Sequence, residues 1–312
     1  MYIAGVTYFK IGGIVAGMSL AAGNFLPDEE MCAKTTVSSS SSSSFSPSAV
    51  AYAAGAPRAG GTGRVLIFVK CDSSEIMRTQ RILHGDNFAS SFGYSLAAAD
   101  INGDGKKDLF VGAPFYHRKG AGGAVYFYRN GETGLVGDSG RKMMVGSEES
   151  RFGFSLASAG DVNNDGVEDL VVGAPYDEGG GKVFVFMGRG GGGEVSFSKA
   201  DQIISGSDIP LAALKSSVPL RTFGYSLAGG IDMDLNNHSD VAVGAFESDV
   251  AIVIRSRPVI DIVTWFGKHP HRINPDQQGC ESDLLSAQVC FVIESCFLIK
   301  NFPSNIDTTY IR

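Results

Sequence analysis

The sequence contains no apolar run long enough to cross a membrane. The longest candidate, residues 11–22, is interrupted by glycines and is shorter than the roughly 18 apolar residues that a membrane-spanning helix needs. It follows a single cation, Lys10, and is only a weak match to a signal peptide. We therefore predict that this segment contributes a strand to the fold and that the chain carries no transmembrane segment.

Cysteine and histidine are scarce, with five residues of each. No two cysteines form a CxxC pair, so neither a zinc site nor a thioredoxin-like motif is indicated. The nearest approach to a histidine ligand motif is His269 with His271. Since an enzyme needs a nucleophile with its base, or an open catalytic metal site, we predict that this chain is not an enzyme.

Three of the cysteines lie close to the C-terminus, and the sequence leaves two states open for them. In an oxidising compartment Cys280 and Cys290 would form a disulfide across a short loop, and Cys296 would pair with a residue beyond the end of the chain. Alternatively, the cysteines are buried and reduced. Spacing alone does not choose between these states.

Clusters of positive charge are also missing. The chain has 26 Lys and Arg against 33 Asp and Glu, for a net charge of -7. Without a basic patch, no nucleic-acid partner is predicted. The acidic excess is concentrated in a sequence that occurs three times.

The repeated sequence begins with Phe-Gly at Phe92, Phe152 and Phe223, and each copy contains an aspartate-rich loop of nine positions. Oxygen-bearing side chains stand at positions 1, 3, 5 and 9, the carbonyl of position 7 is a further donor, and position 6 must turn sharply. Calcium accepts six to eight such oxygens, so we predict three calcium sites. The predicted ligands are Asp100, Asn102, Asp104, Lys106 and Asp108 in the first loop, Asp161, Asn163, Asp165, Val167 and Asp169 in the second, and Asp232, Asp234, Asn236, His238 and Asp240 in the third.

Two other structures could in principle produce loops of this kind. An EF-hand would end in a glutamate at position 12 and lie between helices, whereas position 12 here is Val111, Val172 or Val243 within a short apolar run typical of a buried strand. A single copy could also be a polar turn without an ion. Three copies with the same spacing favour calcium. Position 6 of the third loop is Asn237, the residue after glycine that best tolerates a left-handed backbone.

Each repeat unit contains about four short strand-like runs separated by glycine-rich turns. In the first unit these are residues 92–99, 109–111, 124–128 and 142–146. Four strands per repeat is typical of a β-propeller blade, which buries its faces against its neighbours. We therefore predict an all-β chain of about four propeller blades, each with four antiparallel strands.

A change of pattern near Arg257 and Pro258 predicts a domain boundary. The predicted organisation is a propeller part at 1–257, with a degenerate blade at 1–80, a serine-rich loop at 26–48 and calcium-binding blades at about 81–146, 147–206 and 207–257, followed by the beginning of a second β domain at 258–312.

These motifs resemble those of a known family. The FG, DxNxDGxxD and GAP elements resemble the FG-GAP repeats of integrin α subunits, and RSRPVIDI from Arg255 resembles the segment that joins the integrin propeller to its immunoglobulin-like thigh domain. The segments at Tyr52 and Phe223 are most similar to the laminin-binding and related invertebrate α subunits. The resemblance covers nearly the whole chain.

The resemblance implies a seven-bladed propeller, of which these units would be the last four blades, and then an Ig-like β-sandwich. It implies a glycosylated cell-adhesion receptor that signals, lies on the extracellular side of the plasma membrane, pairs with an integrin β subunit and binds a matrix ligand such as laminin. The calcium loops would brace the blades away from the ligand. Tyr94, Phe154 and Tyr225 are expected to pack in the blades, at a rim that in this family receives the β subunit.

An alternative is a secreted or scaffold FG-GAP propeller, either lectin-like or accessory to a phospholipase-type enzyme. The RSRPVIDI segment and the C-terminal cysteines argue against it.

Overall fold

The computed structural model describes most of the first 257 residues and a smaller part of the remainder. The described residues are 9–11, 14–16, 19–26, 50–70, 77–132, 134–136, 141–191, 195, 197–210, 218–257, 261–267, 276 and 294–300. The chain divides into two compact units, Met1–Arg257 and Pro258–Arg312.

The regular secondary structure of the described residues is antiparallel β-strand, apart from three short 3-10 helices at Ala59–Gly61, Gly206–Asp208 and Phe246–Ser248. The strands of the first unit are β1 (Phe9–Ile11), β2 (Ile14–Ala16), β3 (Ser19–Gly23), β4 (Ala51–Ala56), β5 (Arg64–Lys70), β6 (Met77–His84), β7 (Leu96–Ala99), β8 (Asp108–Arg118), β9 (Ala121–Tyr128), β10 (Asn130–Gly131), β11 (Gly134–Leu135), β12 (Arg141–Val145), β13 (Ser155–Gly160), β14 (Asp169–Ala174), β15 (Lys182–Phe186), β16 (Gln202–Ser205), β17 (Phe223–Ile231), β18 (Asp240–Ala245) and β19 (Val250–Ile254).

These strands form four successive sheets in which neighbours in sequence are neighbours in space. The first sheet has the order β3-β4-β5-β6, the second β7-β8-β9-β12, the third β13-β14-β15-β16 and the fourth β17-β18-β19. Two small pairs, β1-β2 and β10-β11, stand apart. The prediction of an all-β chain built from four-stranded antiparallel sheets is confirmed.

Two details differ from the sequence-based expectation. The fourth sheet has three strands among the described residues, one fewer than expected. The degenerate blade was expected to end at residue 80, but β6 continues to His84 because it stays paired with β5 up to Arg64.

The glycines of the repeated motif explain how the sheets stack. A Cβ on Gly55, Gly112 or Gly173 would stand 1.9, 2.3 or 2.1 Å from the carbonyl oxygen of Gly93, Gly153 or Gly224 in the following sheet. Beside each contact a serine hydroxyl donates to the same carbonyl: Ser19 to Gly93 at 2.9 Å, Ser95 to Gly153 at 2.7 Å and Ser155 to Gly224 at 2.7 Å. The motif therefore encodes a close approach of main chain to main chain.

Apolar side chains fill the spaces between consecutive sheets. Strand residues alternate between the two faces, so that Val171 packs in the cluster that contains Val183 and Phe223, while Val172 packs in the cluster that contains Phe110 and Phe127. Each inner sheet thus contributes to two cores, as stacked repeats require.

The described part of the second unit contains the antiparallel strands β20 (Asp261–Phe266) and β21 (Ser295–Lys300), with Trp265 opposite Cys296. Cys296 is reduced and partly buried. Cys280 and Cys290, for which a disulfide was predicted, lie outside the described residues. Among the residues searched, no helix is long and apolar enough to cross a membrane.

Candidate functional site

The three aspartate-rich loops occupy the same place in successive sheets. Each joins the first strand of a sheet to the second, so that position 9 is also the first residue of the second strand: Asp108 in β8, Asp169 in β14 and Asp240 in β18. The structure thus places all the predicted ligand residues in three equivalent connections.

The carboxylate at position 1 organises the turn that follows it. In the second loop, Asp161 accepts the backbone N–H of Asp165 at 3.0 Å and of Gly166 at 2.7 Å. The same two bonds reach Asp100 from positions 5 and 6 of the first loop, and Asp232 from Asn236 and Asn237 of the third. Each loop is therefore closed by its own first residue.

A left-handed backbone at position 6 completes the turn. The φ angles are 84° at Gly105, 87° at Gly166 and 67° at Asn237. The expectation that asparagine would adopt this conformation in the third loop is confirmed. Position 4 is also left-handed, and in the third loop it is Leu235, with φ 61°. A leucine in that region is strained, which the sequence analysis did not anticipate.

The middle of each loop is held by side-chain oxygens. Asp165 accepts the backbone N–H of Val167 at 2.9 Å, and the Asn163 amide donates to Asp165 at 2.8 Å. Lys106 and Asn102 make the corresponding bonds to Asp104. In the third loop the N–H of position 7 goes instead to the amide oxygen of Asn236: His238 donates to it at 2.8 Å.

The carboxylate at position 9 is buried. Asp169 accepts the backbone N–H of Val162 at 2.8 Å and of Gly188 at 2.7 Å. Asp240 is held in the same way by Met233 at 2.8 Å and Ser256 at 2.9 Å. Asp108 accepts one such bond, from Asn130 at 2.7 Å. The other oxygen of Asp108 is shielded from water; the Ile101 N–H faces Asp108 and acts to lower its pKa, but no hydrogen bond of regular geometry reaches this oxygen in the described part of the chain.

Burial changes the acidity of these carboxyls. Removal from water raises the pKa of Asp108 to about 7, and neighbouring Asp104 and Asp100 add to the rise against the opposing Asn130 bond. The pKa of Asp169 is likewise raised to about 7 by burial, against the bonds from Gly188 and Val162. For Asp232 burial acts upward, but the backbone N–H groups of positions 3 to 6 prevail and lower its pKa. A buried carboxylate with a raised pKa favours a cation beside it.

Only the third loop brings three carboxylates together among the described residues. Oxygen atoms of Asp232, Asp234 and Asp240 all lie within 4.8 Å of one another. Each of the other two loops also has three ligand aspartates, but with asparagine at position 3 and aspartate at position 5, and their carboxylates do not come this close together. The donors are all oxygens, the set that hard cations prefer. In the third loop the three convergent carboxylates fit a divalent cation. In the first loop the unpartnered oxygen of Asp108 does so as well.

Contacts between successive loops involve residues that the sequence analysis missed. Glu168, at position 8 of the second loop, accepts the backbone N–H of Asp100 at 2.9 Å and also pairs with Lys107. Lys107, at position 8 of the first loop, donates its backbone N–H to Asn24 at 2.9 Å. Alignment of the repeats could have identified Asn24, since it occupies the place of Asp100 in the degenerate unit. No sequence signal distinguished Glu168.

At the opposite end of the same strands lies a group of aromatic rings, which we call the aromatic ladder. The centroids of Tyr94 and Phe154 are 4.9 Å apart, and those of Phe154 and Tyr225 are 4.7 Å apart. Each ring contacts an outer aromatic residue that is at least 40% exposed: Phe115, Tyr176 and Phe246. The Arg151 guanidinium lies 4.8 Å from the Phe115 ring and 4.5 Å from the Tyr176 ring.

The sequence matches two protein-family models. The FG-GAP repeat family model matches residues 92–128 and 152–186, and the model of integrin alpha Ig-like domain 1 matches residues 256–310. The first two loops lie within the FG-GAP matches.

Three relatives illustrate the similarity. The chain is 39% identical to integrin alpha-7 of Rattus norvegicus over 258 residues, which are 82% of this chain and 21% of the relative. It is 37% identical to integrin alpha-6 of Homo sapiens over 80% of this chain and 20% of the relative. It is 36% identical to integrin alpha-3 of Mus musculus over 82% of this chain and 23% of the relative. The chain thus spans about a fifth of the length of these relatives.

Proposed function

This chain is homologous to the integrin alpha subunits, and from that premise we propose that it forms part of the head of a cell-adhesion receptor, in which calcium braces the sheets. The observation that carries the proposal is the repeated loop: three oxygen-rich turns in successive sheets, each closed by its position 1 carboxylate and anchored by a buried aspartate at position 9. Integrin alpha subunits are adhesion receptors, which agrees with the prediction that this chain is not an enzyme.

The proposed ligands are the fifteen residues predicted from the three loops, with the carbonyl oxygen as the donor at Lys106, Val167 and His238. When bound, calcium would supply positive charge to carboxylates that otherwise repel one another. The chain's own residues hold these carboxylates in position. The loop N–H groups orient the position 1 carboxylates, and the position 9 aspartates connect each loop to the strand that follows it.

Thermal unfolding tests the bracing role. Extracellular calcium modules bind with Kd values of about 0.1 to 1 mM, so 10 mM free calcium should stabilise the folded chain by roughly 1.4 to 2.7 kcal/mol per site. We expect Tm to rise with calcium and to fall with excess chelator, as measured by calorimetry. The variant Asp165→Asn removes one ligand charge at an exposed position. Its Tm should therefore rise less with calcium, by about the amount that one site contributes. If excess chelator left Tm unchanged, the proposal that calcium braces the sheets would be wrong.

We further propose that the chain pairs with an integrin β subunit through the aromatic ladder. The outer rings of Phe115, Tyr176 and Phe246 are exposed at 41%, 40% and 65%, and they form one continuous row with the inner rings. Aromatic residues are enriched in protein interfaces, and a few residues, with tyrosine and tryptophan prominent among them, carry most of the binding energy. Arg151 shows that the row accepts a cationic side chain between two rings.

The variant Phe246→Ser tests this surface. We expect it to weaken binding to the soluble head of an integrin β subunit by about 30-fold, near 2 kcal/mol, the lower limit for a hot-spot residue. Surface plasmon resonance with immobilised β head would measure the change. Ile203→Ser is the matched control, because Ile203 is 49% exposed on the outer strand β16 of the third sheet. Equal affinities for Phe246→Ser and the unaltered chain would argue against the aromatic ladder as the contact surface for the β subunit.

The remaining parts of the proposal follow the family. We propose an extracellular position at the plasma membrane and a matrix ligand such as laminin, together with a disulfide between Cys280 and Cys290. The match of residues 256–310 to an integrin alpha Ig-like domain favours this receptor over a secreted or scaffold FG-GAP propeller. Mass spectrometry of the unreduced chain, with the 280–290 bridge as the expected product, would test the disulfide.

A further inference from the structure

The calcium loops contact one another directly, in addition to the contacts between their sheets. The backbone N–H of Glu168 donates to the Asp100 carbonyl at 3.3 Å, and the backbone N–H of Asp100 donates to the Glu168 carboxylate at 2.9 Å. Position 8 of the second loop and position 1 of the first loop therefore exchange two hydrogen bonds. Asp100 is a proposed ligand, and Glu168 immediately precedes the proposed ligand Asp169.

The same connection recurs at the next interface. Ser239, at position 8 of the third loop, donates its backbone N–H to the Asp161 carbonyl at 3.3 Å. The buried ring of His238 lies beside it, with Nδ1 3.1 Å from the Val162 carbonyl. In both interfaces, position 8 of a later loop holds position 1 of the earlier one. Only the first of the two adds a charged side chain, that of Glu168.

Glu168 holds the first loop at both of its ends. One carboxylate oxygen accepts from Asp100 at position 1, and the other pairs with the ammonium of Lys107 at position 8. Close packing supports the arrangement. The turn of the first loop at Gly103 lies against Val167 and Gly190, where a Cβ on Gly103 would stand 3.3 and 3.2 Å from the nearest atoms. The segment around Glu168 thus cannot move without displacing the first loop.

We propose that the first and second loops bind calcium cooperatively and that Glu168 is the positioning residue that couples them. This inference rests on the calcium binding proposed above. An ion in the second loop fixes the segment that ends at Asp169 and therefore orders Glu168. Glu168 then holds Asp100 in place before the first loop binds its own ion, which removes part of the ordering cost. By linkage, an ion in the first loop strengthens the second by the same factor.

Calorimetric calcium titration of the full chain tests the coupling. Asp234→Asn, which removes a ligand of the third loop, provides a background in which the first two loops titrate. Adding Asp165→Asn leaves the first loop, and adding Asp104→Asn leaves the second. In the two-loop chain, we expect the product of the two calcium association constants to be about tenfold larger than the product of the constants measured in the two single-loop chains. This factor lies within the usual 5- to 150-fold range of coupled sites.

Glu168→Ala should reduce this factor to about one; because the factor is taken relative to the single-loop affinities of the same variant, a weaker first loop in Glu168→Ala does not by itself lower it. Glu168→Gln keeps an acceptor for the Asp100 N–H but loses the charge that pairs with Lys107, so it should retain an intermediate factor. The matched control is Glu178→Ala, which removes one exposed carboxylate beyond the far end of β14 and should keep the full tenfold factor.

Hydrogen exchange provides a second measurement. In the chain with Asp234→Asn and Asp104→Asn, calcium binds the second loop, and it should slow exchange of the Asp100 amide about tenfold unless Glu168 is replaced by alanine. Independent affinities in the two-loop chain that keeps Glu168, or full coupling in the two-loop chain with Glu168→Ala, would overturn the proposal while leaving calcium binding intact. A chain that binds no calcium would instead refute the proposed function.

Discussion

Gly173→Ala is expected to destabilise the first unit by about 3 kcal/mol, the upper end of the usual cost of overpacking. The added methyl would stand 2.1 Å from the carbonyl oxygen of Gly224. That oxygen is main chain in the following sheet, so no side-chain rotation can relieve the contact. At about 2 to 4 °C per kcal/mol for a unit of this size, Tm should fall by roughly 10 °C in calorimetry.

Gly244→Ala is the matched control for this substitution. Gly244 occupies the same place in the fourth sheet, but the atoms near its added methyl belong to Ser226 of its own sheet. The hydroxyl of Ser226 is 2.2 Å away and can rotate. We expect Gly244→Ala to cost less than about 1 kcal/mol. Equal losses for the two variants would mean that the contact between sheets is not the cause.

Without calcium, the folded chain should become less stable as pH rises from about 4 to 7. Asp108 and Asp169, with pKa values raised to about 7 by burial, hold their protons more tightly when folded than when unfolded. The folded state therefore binds more protons in this range, and stability falls with pH. Each carboxyl contributes at most about 4 kcal/mol, since one pKa unit corresponds to about 1.36 kcal/mol. Urea unfolding with chelator at several pH values would measure the slope.

Saturating calcium should reverse this slope, because the ion binds the ionised carboxylates and protons compete with it. Asp169→Asn should remove about half of the calcium-free slope, since an amide does not titrate. Asp249→Asn is the control: Asp249 is exposed, and its φ of 51° suits asparagine. A calcium-free slope that survives Asp169→Asn unchanged would show that other groups produce it.

The sequence predicted the features that depend on local spacing. The spacing within the nine-residue loops predicted their turns, including the left-handed Asn237. The apolar runs after the loops predicted the second strand of each sheet. Strand lengths were less predictable. Residues 109–111 were expected as a strand, whereas β8 extends to Arg118, where polar residues continue the pairing with β9 around the turn at Gly120.

The contacts between repeats could not be predicted, because they join residues that are far apart in sequence. Glu168 lies 68 positions from Asp100, and Ser155 lies 69 positions from Gly224. Tyr94, Phe154 and Tyr225 were expected to pack in the blades. The structure shows that they pack on one another across three sheets. Identifying this ladder from sequence would require the stacking register in advance.

The glycine contacts between sheets also bear on how such a chain can evolve. They use main-chain atoms and lie at the opposite end of the strands from the loops, so this part of the stacking does not depend on what a loop contains. The first sheet illustrates this separation: Gly55 meets Gly93 as closely as the other pairs meet, although Asn24 replaces the first aspartate and a serine-rich insertion replaces the others. During evolution, a repeat can therefore lose its ion-binding residues, or gain a new loop, and still stack against its neighbours through these glycines.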